Sequence, residues 1–518
     1  MKDGFRKNVA TVGGLTSISR VLGFVRDMIM AWLLGAGPLA DAFVVANRIP
    51  NLLRRFMAEG AVSVAFVPVF SEIKEKEGLE RAYLMAREMM TLMFYGLVAV
   101  SILGVIIAPA FVAVMAPGYL HLPVFDTTVH LTRIMFPYIL LIGIAVLLMG
   151  ILNSIGHFAA PAAAPIIMNL FMIGVPLLCY VAFPIFSSPA DALAWGVITG
   201  GIGQILIQLP PLLKRGVPLG LASSFRSARM KQVIGLMGVA AIGASIYQVN
   251  VLVGTLFASL LSEGSVSCLY YANRILELPL GIFAFAVGNV MLPAMSSASA
   301  RTDSEQLSFL LGRSLATVML FTIPATVGTC VLARPIFTVL FTRGAFTLQD
   351  AYASALDLQM YSLSLWAVGW ARIQTQTLYA MQKASYVVRI SWLSLLVNVI
   401  FCIILMSFMS HAGIALASSI SVFFQLYILQ KYLKRSGIRI PEEHRKLFIK
   451  MIIASAAMGM ALLPFTGLSL WEKGFNAKSS TVLSLGIILG IVIYFGLLWI
   501  LGIRSLPGRK WGKERSGA

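Results

Sequence analysis

Acid is what this sequence has least of. Only 21 Asp and Glu stand among 518 residues, against 40 Lys and Arg, and charge of both signs reaches just 12%. A water-soluble domain carries roughly twice that share of charge, so a soluble body of this length would lack the polar side chains to cover it. Cysteine is also sparse: Cys179, Cys268, Cys330 and Cys402 lie far apart inside apolar stretches. That spacing excludes a disulfide framework and suits buried free thiols. The five histidines show no ligand spacing, so no metal site is expected. There is no Walker sequence, nucleophile elbow or zinc pattern, and Gly200-Gly201-Ile202-Gly203 sits in an apolar run without the strand a nucleotide fingerprint needs. A soluble enzyme, a disordered chain and an ATP-driven pump are set aside on these grounds.

What is abundant is apolar length. Hydrophobic residues make up 58% of the chain and the mean hydropathy is +0.87. A bilayer-crossing helix needs about 20 mostly apolar residues, and such windows recur along nearly the whole sequence. Backbone polar groups find no partner in lipid, so these runs must be helical. The fold class expected is an all-α polytopic membrane protein of about 14 transmembrane helices. The spans fall near 9–34, 40–70, 84–113, 128–152, 159–185 and 191–213, then 231–261, 266–297, 309–333, 352–380, 385–409 and 413–433. A final pair follows near 447–466 and 481–503. Lys2, Arg6 and Lys7 precede an apolar stretch, but Arg20, Arg26 and Asp27 interrupt it and no small-residue cleavage site follows, so it reads as an uncleaved first span.

The surplus of base is unevenly placed. It crowds the amino terminus, the 71–81 and 214–231 loops, the 431–450 linker and the final tail. The alternating loops 35–41, 114–127, 184–191, 262–266 and 409–413 contain no Lys or Arg. Short cytoplasmic loops hold the excess of base, so both termini are expected in the cytoplasm. Arg343, Lys473 and Lys478 fall on the other side in this scheme. The net charge of +19 is thereby absorbed by orientation, and nucleic acid is not needed to explain it.

An internal echo organises the chain further. Ala46-Asn47-Arg48-Ile49 returns as Ala272-Asn273-Arg274-Ile275, 226 positions on, and Val67-Pro68 is answered downstream by Leu292-Pro293. Two pseudo-symmetric six-helix halves plus a carboxy-terminal helix pair are expected, divided as 1–225, 226–436 and 437–518. Parallel halves of this kind belong to transporters that bind cargo between them.

Six arginines are left over from the loops. Arg20, Arg26, Arg48, Arg54, Arg55 and Arg274 lie within or near the apolar stretches, where a central charge costs at least about 2.5–3.5 kcal/mol. Acids at such depth are few: Asp27, Glu59 and Glu277, with Asp41 and Asp357 at the margins. A cation or drug carrier needs buried carboxylates that are not neutralised, whereas arginine in excess selects an anion and grips phosphate bidentately. Arg20 and Asp27 are seven apart and share a helix face about 10 Å apart along the axis. Arg48 and Arg55 have the same spacing, with Pro50 between them to bend the helix. Arg274 and Glu277, three apart, can neutralise each other, and Pro279 suggests a break just beyond. Asn47, Gln248 and Asn273 are supporting polar candidates. Gln248, Asn250 and Asn169 either line the cavity or bond across helices, the second being the default for a polar side chain in a membrane helix.

These residues carry a resemblance. Ser19-Arg20-Val21-Leu22-Gly23-Phe24-Val25-Arg26-Asp27 is similar to the first-helix signature of the MurJ/MviN lipid II flippases, in the multidrug/oligosaccharidyl-lipid/polysaccharide exporter superfamily. Gly35-Ala36-Gly37 with Asp41-Ala42-Phe43, Pro50-Asn51-Leu52-Leu53-Arg54-Arg55 with Ala58-Glu59-Gly60-Ala61, Phe136-Pro137-Tyr138 and Gly264-Ser265-Val266 also fit. The resemblance implies a flippase in the bacterial inner membrane, moving undecaprenyl-pyrophosphate-linked peptidoglycan precursor outward by alternating access. It implies that Arg20, Arg26, Arg54 and Arg274 are cavity arginines, that Asp27 and Glu59 are acidic site positions, and that the last helix pair forms a groove for the lipid tail. Lipid II and the membrane are the expected partners, with cell-wall synthesis proteins as further candidates. No cofactor is expected, and sodium or proton coupling is left open, since no acidic set for sodium stands in the second half. A cation-coupled drug antiporter of the same fold and a non-transporting scaffold are the alternatives.

Overall fold

The computed structural model describes residues 2–55, 65–222 and 227–503. Glu59 lies outside them, as do the side chains of Arg54, Arg55, Gln248 and Asn250. Among the described residues every regular element is helical, and the chain divides into two compact units, Met1–Gly264 and Ser265–Ala518.

The first unit runs α1 (Lys2–Leu34), α2 (Pro38–Arg55), α3 (Val67–Lys76), α4 (Leu79–Ile106), α5 (Ala108–Met115), α6 (Pro123–Met135) and α7 (Tyr138–Ser154). It continues with α8 (Ala159–Pro176), α9 (Pro189–Leu206), α10 (Leu209–Leu213) and α11 (Ala228–Ser259). Proline and glycine mark most of the joints. Gly35 and Gly78 take positive φ at helix ends, where a side chain would be strained. Pro137 sits at the bend between α6 and α7, where the N–H of Phe136 still donates to the Thr132 carbonyl. Ser188 caps α9 by accepting from the Ala190 N–H, and Ser227 caps α11 by accepting from that of Met230. α7 is the dry centre of the unit, with Ile139, Leu147, Leu148 and Ile151 all buried. Gly104 of α4 lets the Phe136 ring lie against the backbone, since an added Cβ would stand 1.7 Å from it.

The second unit runs α12 (Ser265–Pro279), α13 (Phe285–Ala300), α14 (Ser304–Val331), α15 (Ala333–Phe341), α16 (Leu348–Ser362) and α17 (Leu365–Ala380). It ends with α18 (Ala384–Met409), α19 (His411–Arg435), α20 (Glu442–Thr466) and α21 (Ala477–Ile500). A widened π turn, Leu280–Ala284, joins α12 to α13 directly after Pro279. That is the break the proline suggested, because its ring cannot accept the regular helical ladder. Thr347 and Asp350 form a reciprocal capping box at the start of α16. The unit packs around an aromatic knot of Tyr271, Phe337, Phe341 and Phe346, all fully buried.

Helix boundaries repeat along the chain. α4 and α14 begin at 79 and 304, α5 and α15 at 108 and 333, α6 and α16 at 123 and 348, α8 and α18 at 159 and 384. The offset is 225 in each case, one short of the offset of the Ala-Asn-Arg-Ile echo.

Nine helical stretches among the described residues are long and apolar enough to cross a membrane. Their outer faces are apolar as well: Leu485, Ile488, Val492 and Trp499 of α21 are each more than half exposed. Contiguous apolar surface on this scale needs lipid around it. The all-α, multi-pass membrane fold expected from composition is the fold found.

Candidate functional site

Arg26 is held by two neighbours at once. Its Nη2 and Nε both donate to Oδ1 of Asp27, at 2.7 and 3.0 Å, while Nη1 donates to Oδ1 of Asn169 at 3.0 Å. Asn169 in turn donates from Nδ2 to the Ser19 carbonyl. The network therefore ties α1 to α8. Asp27 is buried and the Arg26 side chain keeps 21% of its exposure. Asn169 bonds across helices as expected. Arg20 shares the helix face with Asp27, but Asp27 pairs with Arg26. Arg20 is exposed and makes no hydrogen bond or ion pair among the described residues.

On α2 the candidates have different duties. Asn47 accepts from Nδ2 of Asn51, one turn on, through its carbonyl and its side-chain oxygen, at 3.0 and 3.1 Å. Arg48 donates to the Val251 carbonyl of α11 at 3.1 Å. Arg54 and Arg55 close the helix, but their side chains lie outside the description, as Glu59 does entirely.

Asp41 stands in the first turn of α2 and is buried. Its Oδ2 accepts the backbone N–H of Gly264 at 2.7 Å. Gly264 takes φ +88, and an added Cβ would stand 2.4 Å from the Ala36 carbonyl. Nearby, Gly118 donates its N–H to Ser259 Oγ at 3.3 Å, and a Cβ there would lie 2.0 Å from the Ser259 carbonyl. Tyr119 is buried beside this cluster; burial first, and the Asp41 charge second, push its hydroxyl pKa well up, so it is neutral at any working pH. Three loops free of Lys and Arg thus meet at one end of the first unit. Tyr119, Gly118 and Ser259 had not been singled out in the sequence. The turn dipeptides Pro117-Gly118 and Glu263-Gly264 were the only available sign of a tight approach.

In the second unit Arg274 donates from Nη1 to Oε2 of Glu277 at 2.7 Å, and Asn273 donates to Oε1 at 3.2 Å. The Arg274 guanidinium also lies 4.7 Å from the Tyr270 ring centre. Both carboxylate oxygens are engaged, so the spacing of three does neutralise the arginine in part. The pair stays open to solvent, with 30% and 40% of the side chains exposed.

A cavity of about 330 Å³ opens elsewhere in the first unit. Its walls include Arg81, Arg87, Glu77, Glu88 and Arg229. Arg229 there donates to Oε1 of Glu77 at 2.9 Å and lies 3.8 Å from Glu72. Its charges largely cancel, unlike the arginine set. Among the described residues no group of three His, Cys, Asp or Glu is arranged to hold a metal.

The chain is similar to known proteins along nearly its whole length. The lipid II flippase MurJ of Burkholderia cenocepacia is 33% identical over 512 residues, covering 97% of this chain and 98% of its own. The probable lipid II flippase MurJ of Vibrio cholerae is 34% identical, with 96% of each covered. A solved structure described as lipid II flippase MurJ in an inward closed conformation superposes with a TM-score of 0.78 at 26% identity, covering 95% of this chain and 98% of its own. An inward-facing multidrug resistance MATE transporter shares the fold, with a TM-score of 0.67 at 11% identity, covering 82% of this chain and 98% of its own. Residues 30–482 match the sequence profile of the family described as lipid II flippase MurJ. The chain belongs to that family.

Proposed function

We propose that this protein translocates lipid II, the undecaprenyl-pyrophosphate-linked peptidoglycan precursor, from the inner to the outer leaflet of the bacterial inner membrane. It acts as a transporter, not an enzyme. The observation that carries the reading is family membership across nearly the full chain, joined to the state of its membrane arginines. Arg26 and Arg274 are each oriented by one carboxylate and left partly open. An arginine held this way is preorganised for pyrophosphate, whose two charges can displace or share the internal partner.

In this reading Arg20, Arg26, Arg48, Arg54, Arg55 and Arg274 bind the headgroup, with Asp27 and Glu59 tuning them. Asp41, Asn47, Gln248, Asn273 and Glu277 support those groups. The chain has about 14 spans, arranged as two six-helix halves and a final pair, and the recurring 225-residue offset of helix starts supports that arrangement. The repeat boundaries remain those of the sequence, 1–225, 226–436 and 437–518. The asymmetry of basic loops supports cytoplasmic termini. Alternating access of the two halves then exposes the headgroup outside while the isoprenoid stays in lipid along α20 and α21. Cell-wall synthesis proteins are the natural recipients. The drug-antiporter alternative has only fold likeness at low identity behind it.

The test is a leaflet-accessibility assay for lipid II in vesicles with and without the protein. Protein-dependent appearance of lipid II outside is expected, and its loss in the double variant Arg26→Ala, Arg274→Ala at normal expression. Undiminished movement in that variant would sink the arginine mechanism; no movement with the wild type would sink the function.

A further inference from the structure

Two histidine–aspartate pairs stand outside the arginine set, one in each unit. In the second, Nδ1 of His411 lies 2.6 Å from Oδ1 of Asp357. Asp357 is wholly buried on α16, and its other oxygen, Oδ2, has no hydrogen-bond partner among the described residues. His411 is the first residue of α19, and its side chain keeps 17% exposure. In the first unit, Nε2 of His130 on α6 lies 3.1 Å from Oδ1 of Asp191, in the first turn of α9. The helices α6 and α16 begin 225 positions apart, and His130 and Asp357 fall within two residues of that offset. The same helix pair is therefore bridged in both units, with acid and base exchanged. The exposures differ: the His130 side chain is 61% exposed and Asp191 22%, against 17% and none for His411 and Asp357.

We propose that Asp357 and His411 form a proton-binding site that closes α19 onto α16. At 2.6 Å the nitrogen and oxygen cannot both be bare acceptors, so one proton already lies between them. With that proton alone the pair carries one net negative charge in a dry setting, which is costly. A second proton, taken up by the imidazole, brings the pair to zero net charge and turns the contact into an ion pair. The ligand is thus a proton from the aqueous phase that the 409–413 loop faces.

The charged groups on the helices packed against α16 and α19 are the following. α12 carries Arg274 and Glu277, bonded to each other; α15 carries Arg334, stacked 4.0 Å over the Tyr352 ring. α14 carries Glu305 and Arg313, α17 carries Arg372, α18 carries Arg389, and α19 carries Lys431, Lys434 and Arg435. Asp350 is engaged in the cap of α16. Among the described residues His411 is the one charged partner acting on the Asp357 carboxyl. The His130–Asp191 pair lies in solvent, with the His130 side chain 61% exposed.

The test uses the full chain in detergent micelles, with the SDS-driven unfolding equilibrium followed between about pH 8 and pH 5. Wild type, Asp357→Asn, His411→Gln and His130→Gln are compared. Relative to Asp357→Asn, the wild type is expected to gain stability as pH falls, approaching tenfold in the equilibrium constant per pH unit at the steepest point. His411→Gln leaves the Asp357 carboxyl alone in the same dry setting, so that variant is expected to take up a proton there and to gain as well. His130→Gln is expected to keep the wild-type profile. Should Asp357→Asn fail to fold, the double variant Asp357→Asn, His411→Gln takes its place as the reference without the carboxyl. A wild-type profile parallel to that of the variant lacking the Asp357 carboxyl would overturn the proposal.

Discussion

The carboxylate of Asp41 accepts the backbone N–H of Gly264 at 2.7 Å, across 223 residues of chain. Both groups are buried, so neither can turn to water when the other is removed. Asp41→Ala should cost about 1–3 kcal/mol, the penalty of an amide left without its acceptor. Asp41→Asn retains an acceptor oxygen and should lose less than half as much. SDS-driven unfolding of the two variants measures this, and equal losses would show that the charge, not the hydrogen bond, matters.

Arg26 serves an aspartate and an asparagine with different nitrogens of one guanidinium. Lysine offers a compact ammonium that cannot reproduce the fork. Arg26→Lys is expected to lower lipid II translocation by about tenfold or more while the charge is conserved. Asn169→Ala removes only the cross-helix arm and should weaken folding more than transport. Full activity in Arg26→Lys would mean that positive charge alone suffices.

Glu277 neutralises part of Arg274 in a half-open setting. A pair so exposed is worth about 0–1 kcal/mol. Glu277→Gln should therefore tighten binding of lipid II by at most about fivefold, with slower release and lower turnover. Binding and turnover measured on the same preparation separate the two effects. Weaker binding in this variant would show that Glu277 contacts the cargo itself.

His157, in the loop between α7 and α8, has its pKa lowered by burial first and by the Arg215 charge second. A histidine with a depressed folded pKa favours the fold when neutral. Its contribution is present above the ordinary imidazole value of about 6.5 and is lost as pH falls below it toward the folded value. His157→Gln should flatten the stability profile on that acid side and leave it unchanged at pH about 8. An unaltered acid limb would rule His157 out as a source of the loss.

The residues show which kinds of contact a sequence announces. Arg274 three before Glu277 was legible because helix geometry makes neighbours at that spacing. The pairing of Arg26 with Asp27 was not, since adjacent residues point apart on a helix and the seven-residue spacing had set Asp27 on one face with Arg20. Pro279 announced the π turn because its ring excludes the regular ladder. The partnership of Arg26 with Asn169 was beyond reach, since 143 residues separate them and no local rule couples α1 to α8. Asp357 stood only at the margin of the membrane acids; its partner His411 sits 54 residues on, and the kinship with His130–Asp191 is hidden by the exchange of acid and base. Orientation was inferred from loops alone, because the charge census needs no tertiary contact.

The bend between α6 and α7 falls at Phe136-Pro137, and the one between α16 and α17 falls at Leu363-Ser364, where there is no proline. In the second case the Ser364 hydroxyl donates to the Tyr361 carbonyl, and a neighbouring serine, Ser419, donates to Ser364. One curve is imposed by a ring, the other is supported by hydroxyls. If the halves descend from one ancestor, the outline of the helices has outlasted the residues that first drew it. Boundaries are then a longer memory than letters, and distant relatives of this chain are better sought by the rhythm of their helix starts than by matching side chains.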